Sequence, residues 1–161
     1  MIWFDDGLLS TYTVALPIMK ERGVTGVAAV VTGIVGKSFY SKNWGTSNPC
    51  MNLKQLGELL DAGWELASHT VTHPYEFNKL TPEETERELV DSKQWLQDNL
   101  DYTATKFVVP RHLIRPDQMK QVQKHYSYVR PLGNPVRGHI IFHNVEGPNW
   151  FRRRLDRGRA W

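Results

Sequence analysis

Short apolar segments alternate with amphipathic stretches along the whole chain. Six apolar segments have the near-continuous character of strands in a parallel sheet that is covered on both faces. These segments are residues 2–4, 26–32, 64–67, 106–109, 126–129 and 139–142. Strands that alternate with helices are joined by right-handed crossovers, so the pattern predicts an α/β fold.

Four amphipathic stretches predict helices with recognisable ends. They cover residues 11–22, the stretch between Asn52 and Gly63, the stretch from Thr81 to about Leu100, and residues 116–124. Thr81-Pro82-Glu83-Glu84 gives the clearest start signal, because it combines a capping box with proline at the first helical position. Pro17 predicts either a kink in the first helix or its true start. Residues 33–50 interrupt the alternation of strands and helices, and they predict a long loop of the kind that often carries function.

Length and composition narrow the possibilities further. The 161 residues fit one domain, residues 1–161, and fall short of the ~250 residues of a closed eight-unit barrel. The net charge of +3 and a pI near 9.0 permit an acidic partner without requiring one. Cys50 is the single cysteine, which excludes an internal disulfide.

The chain shows no targeting or membrane signal. It has no apolar run of ~18 residues and no signal peptide, so we expect a cytoplasmic protein or a mature or trimmed secreted form. The arginines near the C-terminus are interpreted as a solvated helix face, and no fold signature for nucleic-acid recognition is present. The oligomeric state stays open.

Four chemically competent side chains follow two of the predicted strands. Asp5 and Asp6 come after the first strand, and His69 and His73 come after the third. Active sites of α/β folds lie at the carboxyl ends of the strands, so we expect these groups to gather at one edge. Two histidines four residues apart lie on one face of a helical turn and can converge on one ion.

This donor set predicts a catalytic metal site. Imidazole plus carboxylate suits zinc or another late first-row divalent metal. With Asp6 as the third ligand beside His69 and His73, a fourth position stays open for water. Asp5 then remains free to act as a general base.

Two motifs of the chain resemble those of a known family. Phe4-Asp5-Asp6-Gly7 and Ser68-His69-Thr70-x-x-His73 resemble the first two motifs of the polysaccharide deacetylase (NodB-homology) family of carbohydrate esterases. The resemblance covers roughly residues 2–130. It implies a distorted, incomplete (β/α) barrel of about six βα units. It also implies one divalent metal ion, zinc, with cobalt or manganese as alternatives.

The resemblance assigns roles to these residues. Asp5 would be the general base, Asp6, His69 and His73 the metal ligands, and Thr70 a group that holds the loop and orients a ligand. The family reaction is hydrolysis of N-acetyl groups on an N-acetylglucosamine-containing saccharide, which releases acetate.

The later motifs match less closely. Phe107-Val108-Val109-Pro110-Arg111 resembles the third motif, but Val108 replaces the arginine that pairs with the catalytic aspartate, and Arg111 replaces a tyrosine. The family uses the backbone N–H at that tyrosine position for the oxyanion, and a backbone donor survives substitution. Arg130 is expected to supply the missing charge, with Arg111 and Arg115 as alternatives.

His143 completes the expected site. Ile140-Ile141-Phe142-His143 resembles the last motif, whose histidine is the general acid that protonates the leaving amine. The acidic residue of the fourth motif has no counterpart, and the chain is shorter than the usual domain. Two alternatives to the deacetylase therefore stay open, namely a hydrolase of another small or cyclic amide and a non-catalytic carbohydrate-binding pseudoenzyme.

Overall fold

The computed structural model describes residues 1–41, 46–130, 140–142 and 147–158. Strands β1–β8 span Ile2–Phe4, Val27–Val30, Ser38–Ser41, Thr46–Pro49, Glu65–Ser68, Lys106–Phe107, Tyr128–Val129 and Ile140–Phe142. Helices α1–α5 span Leu16–Glu21, Leu53–Asp61, Pro82–Leu100, Pro116–His125 and Pro148–Gly158.

Six of the strands form one sheet in the order β7-β6-β5-β2-β1-β8. β1 runs parallel to both β2 and β8, and β6 runs parallel to both β5 and β7. The Glu65 N–H donates to the Gly26 carbonyl at 3.1 Å, and the His69 N–H donates to the Val30 carbonyl at 2.9 Å, which joins β5 to β2. In the described part of the chain β7 and β8 are edges, so the predicted α/β fold with an incomplete barrel-type sheet is confirmed.

The chain divides into two compact units. One comprises Met1–Ala28, Val35–Glu65 and Pro135–Trp161. The other comprises Ala29–Ile34 and Leu66–Asn134. The prediction of a single domain over residues 1–161 stays a prediction.

Aromatic side chains form the core of the first unit. The Phe4 ring lies 5.1 Å from that of Trp64 and 5.8 Å from that of Phe151, between ring centroids. Gly26 allows this close approach, because a Cβ there would lie 2.9 Å from the Trp64 ring. Helix α5, which carries Phe151, was not among the predicted elements. Its arginines do lie on a helix, as the interpretation of a helix face expected. Arg152 is half-buried and pairs with Glu21 at 2.8 Å.

Helix α3 organises the core of the second unit. Thr81 caps it through the predicted capping box, and its buried face includes Leu89 and Leu96. The Phe107 ring packs 5.0 Å from Tyr126 and 6.2 Å from Phe77, between centroids. The 19-residue length of α3 matches the prediction, because capping and apolar spacing agree along it.

Two predicted elements differ from the structure. The helix predicted over residues 11–22 divides into a π-helical turn, Thr11–Ala15, and α1, and Pro17 lies in the first turn of α1, so the alternative in which Pro17 marks the start of the α-helix is confirmed. Proline has no N–H to donate and its ring clashes with the carbonyl four residues earlier, so a regular α-helix cannot continue through it. The loop predicted at residues 33–50 instead contains the antiparallel pair of β3 and β4.

Two of the strands are also shorter than predicted. The predicted segments 26–32 and 106–109 contain strands of four and two residues. Thr32 and Pro110 begin short 3₁₀ turns instead. No helix in the described ranges is long and apolar enough to cross a membrane.

Candidate metal-binding site

Three of the predicted metal ligands come together in the structure. Asp6, His69 and His73 each offer a ligand atom, and these atoms lie within 4.8 Å of one another. Asp6 and His69 are buried, and His73 is half-buried. Two imidazoles and one carboxylate form a donor set that fits a divalent metal such as zinc.

The ring of His69 is held in the tautomer that metal binding requires. Its Nδ1 lies 2.8 Å from the Val108 carbonyl oxygen. A carbonyl can only accept, so Nδ1 carries the proton, and in the neutral ring Nε2 is the nitrogen that can bind a metal. The contact comes from the backbone of Val108 and does not depend on its side chain.

The segment from His69 to His73 is an irregular loop, so the expectation of a helical turn is wrong. Thr70 and His73 have φ angles of 70° and 52°. The Thr70 hydroxyl donates to the His69 carbonyl and accepts from the His73 N–H at 3.0 Å. Thr70 thus connects the two candidate ligands, an arrangement that supports the role expected for it, which stays a prediction.

Glu88 of α3 holds the same loop and was missed by sequence reasoning. Its Oε2 accepts from the Val71 N–H at 2.7 Å and the Thr72 N–H at 3.0 Å. Its Oε1 accepts from the Thr72 hydroxyl at 2.5 Å. One carboxylate therefore accepts three hydrogen bonds from two of the three residues between the candidate ligands.

The short 3₁₀ turn that follows β2, Thr32–Ile34, also holds the loop. The Gly33 N–H donates to the Val71 carbonyl at 2.9 Å, and the Thr32 N–H donates to the Thr70 carbonyl at 3.1 Å. A Cβ on Gly33 would lie 2.5 Å from the Val71 carbonyl oxygen, which is closer than any side chain tolerates. Glycine is therefore required at position 33 by close approach of the backbone.

Backbone strain concentrates at the carboxyl ends of the strands. Among the described residues, six that are not glycine have positive φ. One, Asp101, is the C-cap of α3, where this conformation is common. The other five are Asp6, Thr70, His73, Arg111 and His112. Such residues cost free energy and persist where the surroundings fix them, as they do at functional sites.

The two aspartates after β1 are buried in a fixed turn. Asp5 is 1% and Asp6 5% exposed. The Gly7 carbonyl accepts from the Met51 N–H at 2.9 Å, which fastens this turn to the segment before α2. Burial raises the pKa of the nearby Cys50 thiol to about 11, so Cys50 stays protonated at neutral pH and is not a nucleophile.

Comparison with known proteins identifies the family. Residues 1–130 match the family model described as polysaccharide deacetylase. The chain belongs to the polysaccharide deacetylase family. A protein of Bacillus subtilis strain 168 named as a polysaccharide deacetylase, YxkH, is 32% identical over 108 residues. That match covers 67% of this chain and 34% of the relative, so the chain spans about a third of that protein's length.

Solved structures of the same family share the fold. The Streptococcus pyogenes deacetylase PplD, solved in complex with acetate, superposes with a TM-score of 0.67 at 21% identity, covering 94% of this chain and 67% of that one. A carbohydrate esterase family 4 pseudoenzyme from Bacillus anthracis superposes with a TM-score of 0.73 at 14% identity, covering 99% and 60%. The fold thus occurs in an enzyme and in a protein described as a pseudoenzyme.

The remaining candidate residues occupy different positions. The Arg111 guanidinium lies 3.9 Å from the centroid of the Tyr75 ring, and the Arg111 side chain is exposed. Arg130 follows β7, is only 2% exposed, and its N–H donates to the Phe107 carbonyl at 3.0 Å. His143 lies outside the described residues. The roles expected for Asp5, Arg111, Arg130 and His143 stay predictions.

Proposed function

We propose that this chain is a metal-dependent deacetylase that hydrolyses N-acetyl groups of an N-acetylglucosamine-containing saccharide and releases acetate. The observation that carries the proposal is the convergence of Asp6, His69 and His73, with ligand atoms within 4.8 Å of one another. Family membership supports the reaction class.

The three converging side chains would hold one divalent metal, zinc in our proposal. A bound ion of this kind polarises a carbonyl oxygen and lowers the pKa of water. Asp6 supplies the negative charge of the site. The hydrogen bond from His69 to the Val108 carbonyl fixes the ring, so no reorientation is needed when the ion binds.

Asp5 takes the proton of the attacking water in this proposal. It is 1% exposed, and a buried carboxylate needs a compensating positive charge. Arg130 is a buried guanidinium, which in turn needs a negative partner. We propose that Arg130 supplies the positive charge that the arginine replaced by Val108 would have supplied. The backbone N–H of Arg111 would donate to the oxyanion. His143 would protonate the leaving amine.

Acetate release from N-acetylated chito-oligosaccharides tests the proposal. The protein is stripped of metal, reloaded with zinc or cobalt, and assayed beside the stripped form. We expect acetate release only in the loaded form. In Asp5→Asn we expect turnover to be lost while the metal content stays unchanged, because Asp5 acts on the proton and not on the ion.

Either of two results contradicts these assignments. Loss of metal from Asp5→Asn would show that Asp5 is a ligand, which overturns the division of roles. Zinc binding without acetate release would favour one of two alternatives, a carbohydrate-binding pseudoenzyme or a hydrolase of another small or cyclic amide. Val108 in place of an arginine favours the pseudoenzyme. A screen of acetylated and cyclic amides would separate the two alternatives.

A further inference from the structure

An exposed arginine and an exposed tyrosine form a cation–π pair beside the loop from His69 to His73, which we call the histidine loop. The Arg111 guanidinium lies 3.9 Å from the centroid of the Tyr75 ring, and Tyr75 is 51% exposed. Tyr75 follows the metal ligand candidate His73 by two residues, and Arg111 follows β6. Because β5 and β6 are parallel neighbours, the loops that carry the two residues leave the same edge of the sheet.

The aromatic contact fixes Arg111 without using its hydrogen-bond donors. A cation–π contact uses the charge of the guanidinium and the face of the ring, so the N–H groups can still donate to another partner. Arg22, Arg115 and Arg152 each pair with a carboxylate. Arg111 pairs with no carboxylate among residues 1–41, 46–130, 140–142 and 147–158.

The backbone also holds Arg111 in an unusual conformation. Its φ is 54°, and that of His112 is 60°. Two consecutive non-glycine residues in this region are unfavourable, and the surroundings must enforce them. The Leu113 N–H donates to the Pro110 carbonyl at 3.2 Å, which closes this turn. The turn therefore fixes the backbone of Arg111, and the Tyr75 ring contacts its guanidinium.

We propose that Arg111, held by Tyr75, binds a carboxylate on the saccharide next to the acetylated sugar. The inference rests on the proposed function and names its substrate class, an acidic N-acetylated saccharide. A guanidinium presents a planar fork of donors that matches the two oxygens of a carboxylate. The net charge of +3 also attracts an anionic polymer.

Two matched tetrasaccharides test this inference by direct binding. Both have the same N-acetylated backbone, and in one of them alternate sugars carry a lactyl ether with a free carboxylate. Dissociation constants are measured by calorimetry on the zinc-loaded protein at low and high salt. We expect the acidic saccharide to bind about tenfold more tightly at low salt, the low end for one charge-assisted hydrogen-bonded contact. High salt should reduce the difference.

Variants assign the preference to Arg111. Arg111→Gln should bind both saccharides equally, and Arg111→Lys should keep part of the preference because it keeps the charge without the planar fork. Lys124→Gln is the matched control, because it removes one exposed positive charge on α4 and should leave the preference unchanged.

The outcomes separate this inference from the proposed function. Equal affinity of the unmodified protein for both saccharides, or an unchanged preference in Arg111→Gln, overturns the inference, and so does failure to bind either saccharide. If the protein releases acetate from both saccharides and binds them with equal affinity, the proposed function is supported and the carboxylate subsite is refuted. A preference that depends on Arg111 without acetate release supports the carboxylate subsite and contradicts the proposed function.

Discussion

Replacing Glu88 by glutamine weakens the hydrogen bonds that hold the histidine loop without changing the size of the side chain. Glu88 accepts two backbone N–H groups and one hydroxyl from Val71 and Thr72. A glutamine carbonyl can still accept both N–H groups, and its NH₂ can donate to the Thr72 hydroxyl. The substitution therefore removes mainly the negative charge of the acceptor.

The expected loss follows from those two backbone bonds. A hydrogen bond to a charged group contributes about 1.5–3 kcal/mol and a neutral one about 0.5–1.5 kcal/mol, a difference of about 1 kcal/mol per bond. Glu88 is half-buried, so solvent screens part of this. We expect the free energy of unfolding to fall by about 1 kcal/mol. We expect zinc affinity to fall about tenfold, the low end for losing a group that orients metal ligands.

Competition with a chromophoric chelator measures the zinc affinity, and urea unfolding of the metal-free protein measures stability. Glu86→Gln is the matched control, because Glu86 lies on the same helix and accepts from His125 at 2.7 Å, away from the loop. That variant should lose a similar or smaller amount of stability and keep its zinc affinity. If Glu88→Gln loses stability but binds zinc as tightly as the unmodified protein, the loop does not need this carboxylate to place its histidines, and the reasoning is refuted.

The remaining predictions concern the ligand, the loop and helix α3. His73→Ala should lower zinc content sharply, because a three-ligand site has no spare ligand; metal analysis after dialysis measures it, and unchanged occupancy would remove His73 from the site. Gly33→Ala should cost about 1–3 kcal/mol and weaken zinc binding, because the new Cβ meets the Val71 carbonyl at 2.5 Å. Gly147→Ala, with nothing within 4 Å, is its control in the same urea and zinc titrations. Thr81→Ala should cost about 1 kcal/mol through loss of the cap and leave zinc content unchanged.

The elements that sequence reasoning predicted well are those in which local signals agree with one another. Helix α3 has a capping box, proline in its first turn and a continuous apolar face, and it spans the predicted residues. Helix α2 likewise begins after Asn52, the predicted boundary, whose side chain caps it by accepting from the Gln55 N–H at 3.0 Å. The parallel α/β sheet was predicted from the alternation of strands and helices, which leaves few ways to connect the strands.

The elements that sequence reasoning missed depend on contacts between distant residues. Nothing in the spacing distinguishes Glu88 from the other three glutamates of α3, because its partners lie 16 and 17 residues earlier. The pairing of β3 with β4 buries little, and three of the four residues of β4 are exposed, so no apolar alternation marks it. The spacing of His69 and His73 predicted convergence correctly but for the wrong reason, since a strained loop brings them together.

The weak match of the third motif has different consequences for metal binding and for turnover. The contact that this segment makes with His69 comes from the Val108 carbonyl, and a carbonyl is unaffected by the change of side chain. The donor proposed at Arg111 is likewise a backbone N–H. In our proposal Val108 removes a positive charge that would assist Asp5, and Asp5 would act on a proton and not on the ion. The substitution should therefore leave zinc affinity intact and place the whole effect on turnover, so the activity of this chain depends on whether Arg130 supplies that charge.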